Sequence, residues 1–191
     1  MNDKHNLKIQ RVKGYFLEAS KQIISSEGAE NISARKIAEI AGYSYATIYN
    51  YFKDIDELLS ETKALMVSDV VKHMRDVMGF APQSIEDVKR LLIIYIRYHL
   101  DNPHIFRFFY FYRLYDNKGR KEQYNFSYHW METFRFLVES KIIKEDEVES
   151  CAKTLIYAVH GLLALFLSGN GLTEEIMLAD LDRMIDFVLR R

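Results

Sequence analysis

The sequence predicts an all-α protein of about nine helices, in which a small three-helix head containing a helix-turn-helix precedes a larger helical body. Three observations predict it. Apolar residues recur at spacings of three and four along most of the chain, with no clean alternating run. Only two prolines and eight glycines interrupt 191 residues, which argues against a turn-rich β architecture. Residues 33–52 hold two short periodic segments joined by a turn that contains a glycine.

Each element follows from its start and stop signals. A first run extends from about Lys8 to Glu27, and Gly28 stops it. Ser33 precedes ARKIAEIA, where its hydroxyl would accept from the first free N–H groups of a helix. Gly42 ends that short helix, and Ser44 would cap the next one. A long amphipathic run covers Ile55 to about Met78. Ser84 with Asp87 three residues on has the pattern of a capping box. Asn102 places a capping residue before Pro103, which is tolerated at a first helical position. The loops expected are Asp116-Asn117-Lys118-Gly119 and Gly169-Asn170-Gly171. Thr173, Glu174 and Glu175 open the last helix with acids near its positive end.

Composition bounds what such a chain does. An apolar content of 49% supports a packed core and argues against disorder. With 26 basic against 27 acidic residues, a globally basic nucleic-acid binder is excluded, but a basic patch is not. The first 53 residues carry eight basic and five acidic side chains, +3, which leaves −4 for the remainder. Cys151 is the only cysteine, so neither an intrachain disulfide nor a cysteine-based metal cluster is available. MNDKHNLKIQ lacks the apolar core of a signal peptide. The longest apolar stretch, Leu155 to Leu167, is shorter than the roughly 20 residues of a membrane span. The expectation is a cytoplasmic protein with a head at 1–54, a body at 55–191 and no membrane partner.

The head carries the chemistry. In residues 33–52, Ile37, Ala38, Ile40 and Ala41 supply an apolar face whose small members allow close packing of a second helix. Ile48 and Phe52 lie four apart and face inward. Tyr45, Ala46, Thr47, Tyr49, Asn50 and Tyr51 occupy the remaining surface. Hydroxyls and amides in that density suit phosphate oxygens and base edges.

These residues resemble the DNA-binding domain of the TetR (tetracycline repressor) family, whose pattern here is IA..AGVS..TLY.HF..K..L. Ile37, Ala38, Ala41, Gly42, Ser44, Thr47, Tyr49 and Phe52 match it residue for residue, with Ile48 and Tyr51 where leucine and histidine are usual. Ala19 and Gly28 match a small residue and the closing glycine of the first helix. The resemblance covers about the first 60 residues. Where the family carries a lysine after the phenylalanine, this chain has Ile55, and Lys53 would supply the charge instead.

The resemblance implies a sequence-specific transcriptional regulator: a homodimeric repressor on a palindromic operator in double-stranded DNA, released by a small lipophilic or aromatic effector. Ser33, Thr47, Tyr49 and Tyr51 would meet phosphates, helped by backbone N–H groups at helix N-termini. Tyr45, Ala46 and Asn50 would meet bases, and Arg35 and Lys36 bases or backbone; Ser44 and Lys53 complete the interface. A dimer would set its recognition helices about 34–36 Å apart. Leu155, Val159, Gly161, Leu162, Phe166, Leu181 and Ile185 are the expected dimer contacts, with His160 in or beside them.

The aromatic surplus is concentrated: 15 of the 26 Phe, Tyr and Trp fall between Tyr95 and Phe136. The resemblance makes this region a ligand pocket, with Tyr95, Tyr98, His99, Phe109, Tyr112, Arg113, Tyr128, Trp130 and Glu132 as its candidates. Glu132 or Asp101 would suit a cationic lipophile; Arg97, Arg107 and Arg113 would suit an acid. Dense core packing is the competing explanation for any single aromatic. The rival function is a DNA-binding protein of the same fold that takes no small molecule and acts through a protein partner. No nucleophile or phosphate-binding motif is present. No metal, cofactor or catalytic residue is therefore expected, and no enzyme.

Overall fold

The computed structural model describes residues 2–114 and 134–189. Among these residues there is no strand, and the helices are α1 (Asn2–Glu27), α2 (Ala34–Ala41), α3 (Tyr45–Ile48), α4 (Ile55–Met78), α5 (Ile85–Asp101), α6 (Pro103–Tyr110), α7 (134–139), α8 (Val148–Leu167) and α9 (Glu174–Leu189). Short 3-10 turns occupy Ala29–Asn31 and Glu145–Glu147. The all-α expectation holds. The expected Asp116–Gly119 loop lies outside the described residues.

Local chemistry sets the boundaries. Gly28 (φ 91°) and Gly42 (φ 76°) take the positive φ that stops α1 and α2, and the left-handed conformation of Gly42 costs other L-residues about 1–2 kcal/mol. The Ser33 hydroxyl accepts from the Lys36 N–H at 3.2 Å and so caps α2. Ser44 departs from expectation: its Oγ lies 2.8 Å from Thr47 Oγ1 and caps no backbone N–H. Ser84 Oγ accepts from Asp87 N–H at 3.1 Å, and the Asp87 carboxylate accepts from Gln83 N–H at 3.0 Å. The Gln83 N–H, and after it the Ser84 hydroxyl, hold the Asp87 carboxyl below its ordinary pKa. The same device opens α4. Asp54 Oδ1 accepts from Glu57 N–H at 2.8 Å, and Glu57 Oε2 accepts from Lys53 N–H at 2.5 Å.

The described chain resolves into two units, residues 2–69 with 102–114 and residues 70–101 with 134–189. In the first, α2 packs on α1 and on α3, over a core of Phe16, Ile23, Ile24, Ile37, Ile48 and Phe52. Two ion pairs join α1 to α4, Lys13–Glu61 at 2.6 Å and Lys21–Asp69. Both pairs span 48 residues, so the two helices run alongside in one direction. α6 also packs on α1 and buries Ile105, Phe106, Phe108 and Phe109. The first unit holds the start of α4 and all of α6 together with α1, α2 and α3. Ile40 differs from its expected inward position: it is 41% exposed, because Ile37 and Ala38 alone fill the buried face of α2.

In the second unit α5, α8 and α9 pack together around Leu92, Tyr95, Leu155, Val159, Leu163, Leu181 and Ile185. Lys89 reaches from α5 to Asp182 (2.5 Å) and Asp186 (2.9 Å) on α9. The hydrogen bond to Asp182 is the largest cause of its raised pKa. The stretch Glu145–Leu167 is, by length and composition alone, apolar enough to cross a membrane, longer than the apolar run from Leu155 indicates. Its buried side chains pack with α5 and α9, the packing of a core helix.

Candidate nucleic-acid interface

α3 is a single helical turn, and Tyr49, Asn50 and Tyr51 continue it as a hydrogen-bonded turn, with Tyr51 and Phe52 N–H both bonding the Ile48 carbonyl at 2.9 Å. Ile48 and Phe52 anchor this segment in the core. With those two fixed inward, Tyr45 (53% exposed), Ala46, Tyr49 (50% exposed) and Asn50 face outward. Thr47 is half-buried beside Ser44, and Tyr51 is half-buried with its ring 6.1 Å from that of Phe16. The structure thus gathers the expected DNA-facing residues of α3 on one surface, with hydroxyls and an amide displayed and apolar groups beneath.

The charges around this surface sort the candidates. Lys36 is ion-paired with Glu27, and Lys53 lies 3.2 Å from Asp54. Arg35 has no carboxylate partner among the described residues; its guanidinium lies over the Tyr45 ring, 5.9 Å from the centroid. Arg11 does the same with Tyr15 at 5.9 Å and also donates to its hydroxyl at 2.9 Å. Tyr15 stacks with Tyr43, at 6.3 Å, in the turn between α2 and α3. Arg11, Tyr15 and Tyr43 escape a motif reading because they lie outside the two short helices; an exposed tyrosine four residues after an arginine is their only signal.

The expected ligand residues separate. In the second unit, Tyr95 and His99 are fully buried and Tyr98 is half-buried. The His99 ring meets those of Tyr95 at 4.5 Å and Tyr98 at 5.4 Å, and the Tyr95 hydroxyl lies 3.0 Å from His160 Nε2. Burial lowers the pKa of His99 to about 3, with a smaller effect of His160, and that of His160 to about 4. Both imidazoles are neutral at pH 7. His160 is half-buried, with its Nε2 turned toward Tyr95 of α5. In the first unit, Phe109 is buried, Tyr112 half-buried and Arg113 exposed. Burial, then the charge of Asp56, raises the Tyr112 pKa. Arg97, Asp101 and Arg107 are exposed as well. Tyr128, Trp130 and Glu132 lie outside the described residues. Two surface grooves, of about 630 Å³ beside Tyr15, Gln22 and Ile40 and about 760 Å³ beside Cys151, Thr154 and Met184, include none of the ligand candidates.

Five of the expected dimer contacts are core residues of the single chain. Leu155, Val159, Leu162, Leu181 and Ile185 are each at most 5% exposed, because the broad apolar face of α8 and α9 is used up within the unit. Phe166 is half-buried; Gly161 is exposed and has nothing near its Cβ position. The apolar side chains left outside on these helices are Tyr157, Leu165, Ile176, Met184 and Phe187, the last 79% exposed. Among the described residues no cluster of three or more His, Cys, Asp or Glu has the arrangement of a metal site.

A buried three-helix head, an exposed recognition turn and an all-helical body define a helix-turn-helix DNA-binding regulator. Residues 16–62 match the family model of the bacterial regulatory proteins of the tetR family. Its fold is similar to that of a TetR-family candidate regulator from Rhodococcus sp. (19% identity, 94% of this chain and 99% of that one, TM-score 0.73). It is also similar to a TetR-family transcription regulator from Marinobacter aquaeolei VT8 (21% identity, 95% and 97%, TM-score 0.65). A third similar structure is RolR in complex with the ligand resorcinol (16% identity, 97% and 96%, TM-score 0.70). At these identities the likeness is one of fold. Curated proteins give no match.

Proposed function

We propose that the chain is a cytoplasmic repressor that binds a palindromic operator as a homodimer and leaves it when a small, uncharged aromatic or lipophilic molecule enters the body. The observation that carries this reading is the exposed Tyr45–Ala46–Tyr49–Asn50 surface, held outward by a buried Ile48 and Phe52. By role, residues 1–54 serve DNA and 55–191 serve ligand and partner. The uncharged class is supported by the neutral Tyr95–His160 pair set among aromatic rings, and by the exposure of Arg97, Asp101, Arg107 and Arg113. RolR, of similar fold, takes the uncharged aromatic resorcinol. For the dimer, Tyr157, Gly161, Leu165, Met184 and Phe187 supply the contact surface, with Gly161 leaving room for a partner helix.

Gel shift with the DNA flanking the chain's own gene tests the reading. Retarded complexes that dissociate in the presence of small phenols or lipophiles are expected. Full operator affinity at saturating concentrations of a ligand that demonstrably binds would refute release, since a ligand shifts an equilibrium only by its differential affinity.

A further inference from the structure

We infer that Glu27 is an internal counter-ion of the DNA-binding face, which cancels the charge of Lys36 and keeps that lysine out of the electrostatic hold on DNA. The inference rests on the proposed DNA-binding reading and deepens it, since it says which forces carry the contact. Lys36 lies in the first turn of α2, next to Arg35, whose guanidinium reaches over the Tyr45 ring at the start of α3. Its ammonium is turned back to the end of α1, where it bonds the Glu27 carboxylate. The arrangement recurs after the recognition turn. Lys53, which follows Phe52, lies 3.2 Å from the Asp54 carboxylate. Through Glu57 the chain carries eight basic and eight acidic side chains, so Asp54, Asp56 and Glu57 cancel the +3 of the first 53 residues.

Two opposite charges in contact present no net charge to a phosphate, because their separation is well under the screening length of about 10 Å at 0.1 M salt. An exposed ion pair is weak, so Lys36 is free to swing away, but Glu27 then stays behind uncompensated and the sum is still zero. Counterion release follows the net positive charge brought to the duplex, and the pair adds nothing to it. The N-terminus of α4 is closed in the same way. Asp54 accepts from the Glu57 N–H and Glu57 from the Lys53 N–H, so carboxylates of the chain itself take the place that a phosphate would hold. What the face displays instead is uncharged: the hydroxyls of the exposed Tyr45 and Tyr49 and the amide of Asn50. Affinity for DNA of any sequence is almost wholly electrostatic, and a head built this way holds it down.

Anisotropy titrations of the full-length protein between 50 and 200 mM salt test the inference, on the DNA flanking its own gene and on a random-sequence duplex. The variants are Glu27→Gln and the double variant Glu27→Gln/Lys36→Gln. Glu27 is exposed, so the isosteric glutamine leaves the fold intact. In the proposed dimer Glu27→Gln frees one lysine per head, and the slope of log K against log salt is expected to steepen by about 2. Over this fourfold salt range that variant should lose about tenfold more affinity than the wild type, and at 50 mM it should bind random DNA on the order of tenfold tighter. The double variant removes both charges and is expected to return to the wild-type slope. A wild-type slope in Glu27→Gln would overturn the inference. So would a double variant shallower than the wild type by about 2, because Lys36 would then already hold a phosphate beside Glu27. A wild type that binds neither DNA would overturn the DNA-binding reading itself, a result distinct from the other two.

Discussion

Acidification from pH 7 to pH 5 is expected to destabilise this protein through two imidazoles. His99 and His160 have folded-state pKa values of about 3 and about 4, against 6.5 for the free side chain, because burial disfavours their charged forms. A base with a depressed folded pKa stays neutral in the native state while the unfolded chain takes up its proton. Stability is therefore fully present above pH 6.5 and is lost as pH falls toward the folded values. Between the unfolded pKa and pH 5, each group costs about 2 kcal/mol, since one pH unit corresponds to about 1.4 kcal/mol per proton. The two together cost about 4 kcal/mol, a large share of the roughly 5–15 kcal/mol stability of a typical domain. Urea unfolding at several pH values measures the slope. His99→Gln, which does not titrate, is expected to remove about half of it whatever its own baseline stability. An unchanged slope in that variant, or an NMR titration of His99 near pH 6.5, would refute the argument.

Three further outcomes are expected. Tyr49→Phe should weaken binding on all DNA sequences alike, by about 1 kcal/mol per half-site for one lost hydrogen bond, whereas Asn50→Ala should change the selected motif; binding assays on operator and random DNA separate the two. Asp54→Ala removes the cap of α4 and should cost about 1 kcal/mol in thermal or chemical unfolding. Phe187→Glu places a charge on the most exposed large apolar side chain of α9 and should shift the protein toward monomer in sedimentation, with little loss of helicity.

The head was legible in the sequence because its function fixes spacing. Ser33, Gly42, Ile48 and Phe52 each answer a local need, for a cap, a positive φ or an inward side chain, and each does so in the structure. The misreadings there are small. Ser44 was expected to cap a backbone, but its hydroxyl is within reach of Thr47, a side chain one turn on. The Asp54-x-x-Glu57 box follows the same rule as Ser84-x-x-Asp87 and was legible in principle. Packing of α6 on α1 was not, because no local pattern records a contact between residues some ninety positions apart.

The body shows where periodicity stops deciding. α8 is apolar nearly all round, so Leu155–Val159–Leu162 and Tyr157–Gly161–Leu165 are equally good stripes by spacing. Only the packing of α5 and α9 chooses the first for the interior and leaves the second outside. A choice of that kind depends on volume and shape across helices, which a single strand of sequence does not encode visibly. His160 was the available clue. A histidine within an apolar run needs a polar neighbour if it turns inward, and Tyr95 supplies one at 3.0 Å. Turning His160 toward Tyr95 also turns its adjacent stripe, through Val159 and Leu163, to the core and leaves Tyr157 and Leu165 exposed. One polar side chain with a known partner thus orients the whole helix, which the eleven apolar ones around it do not.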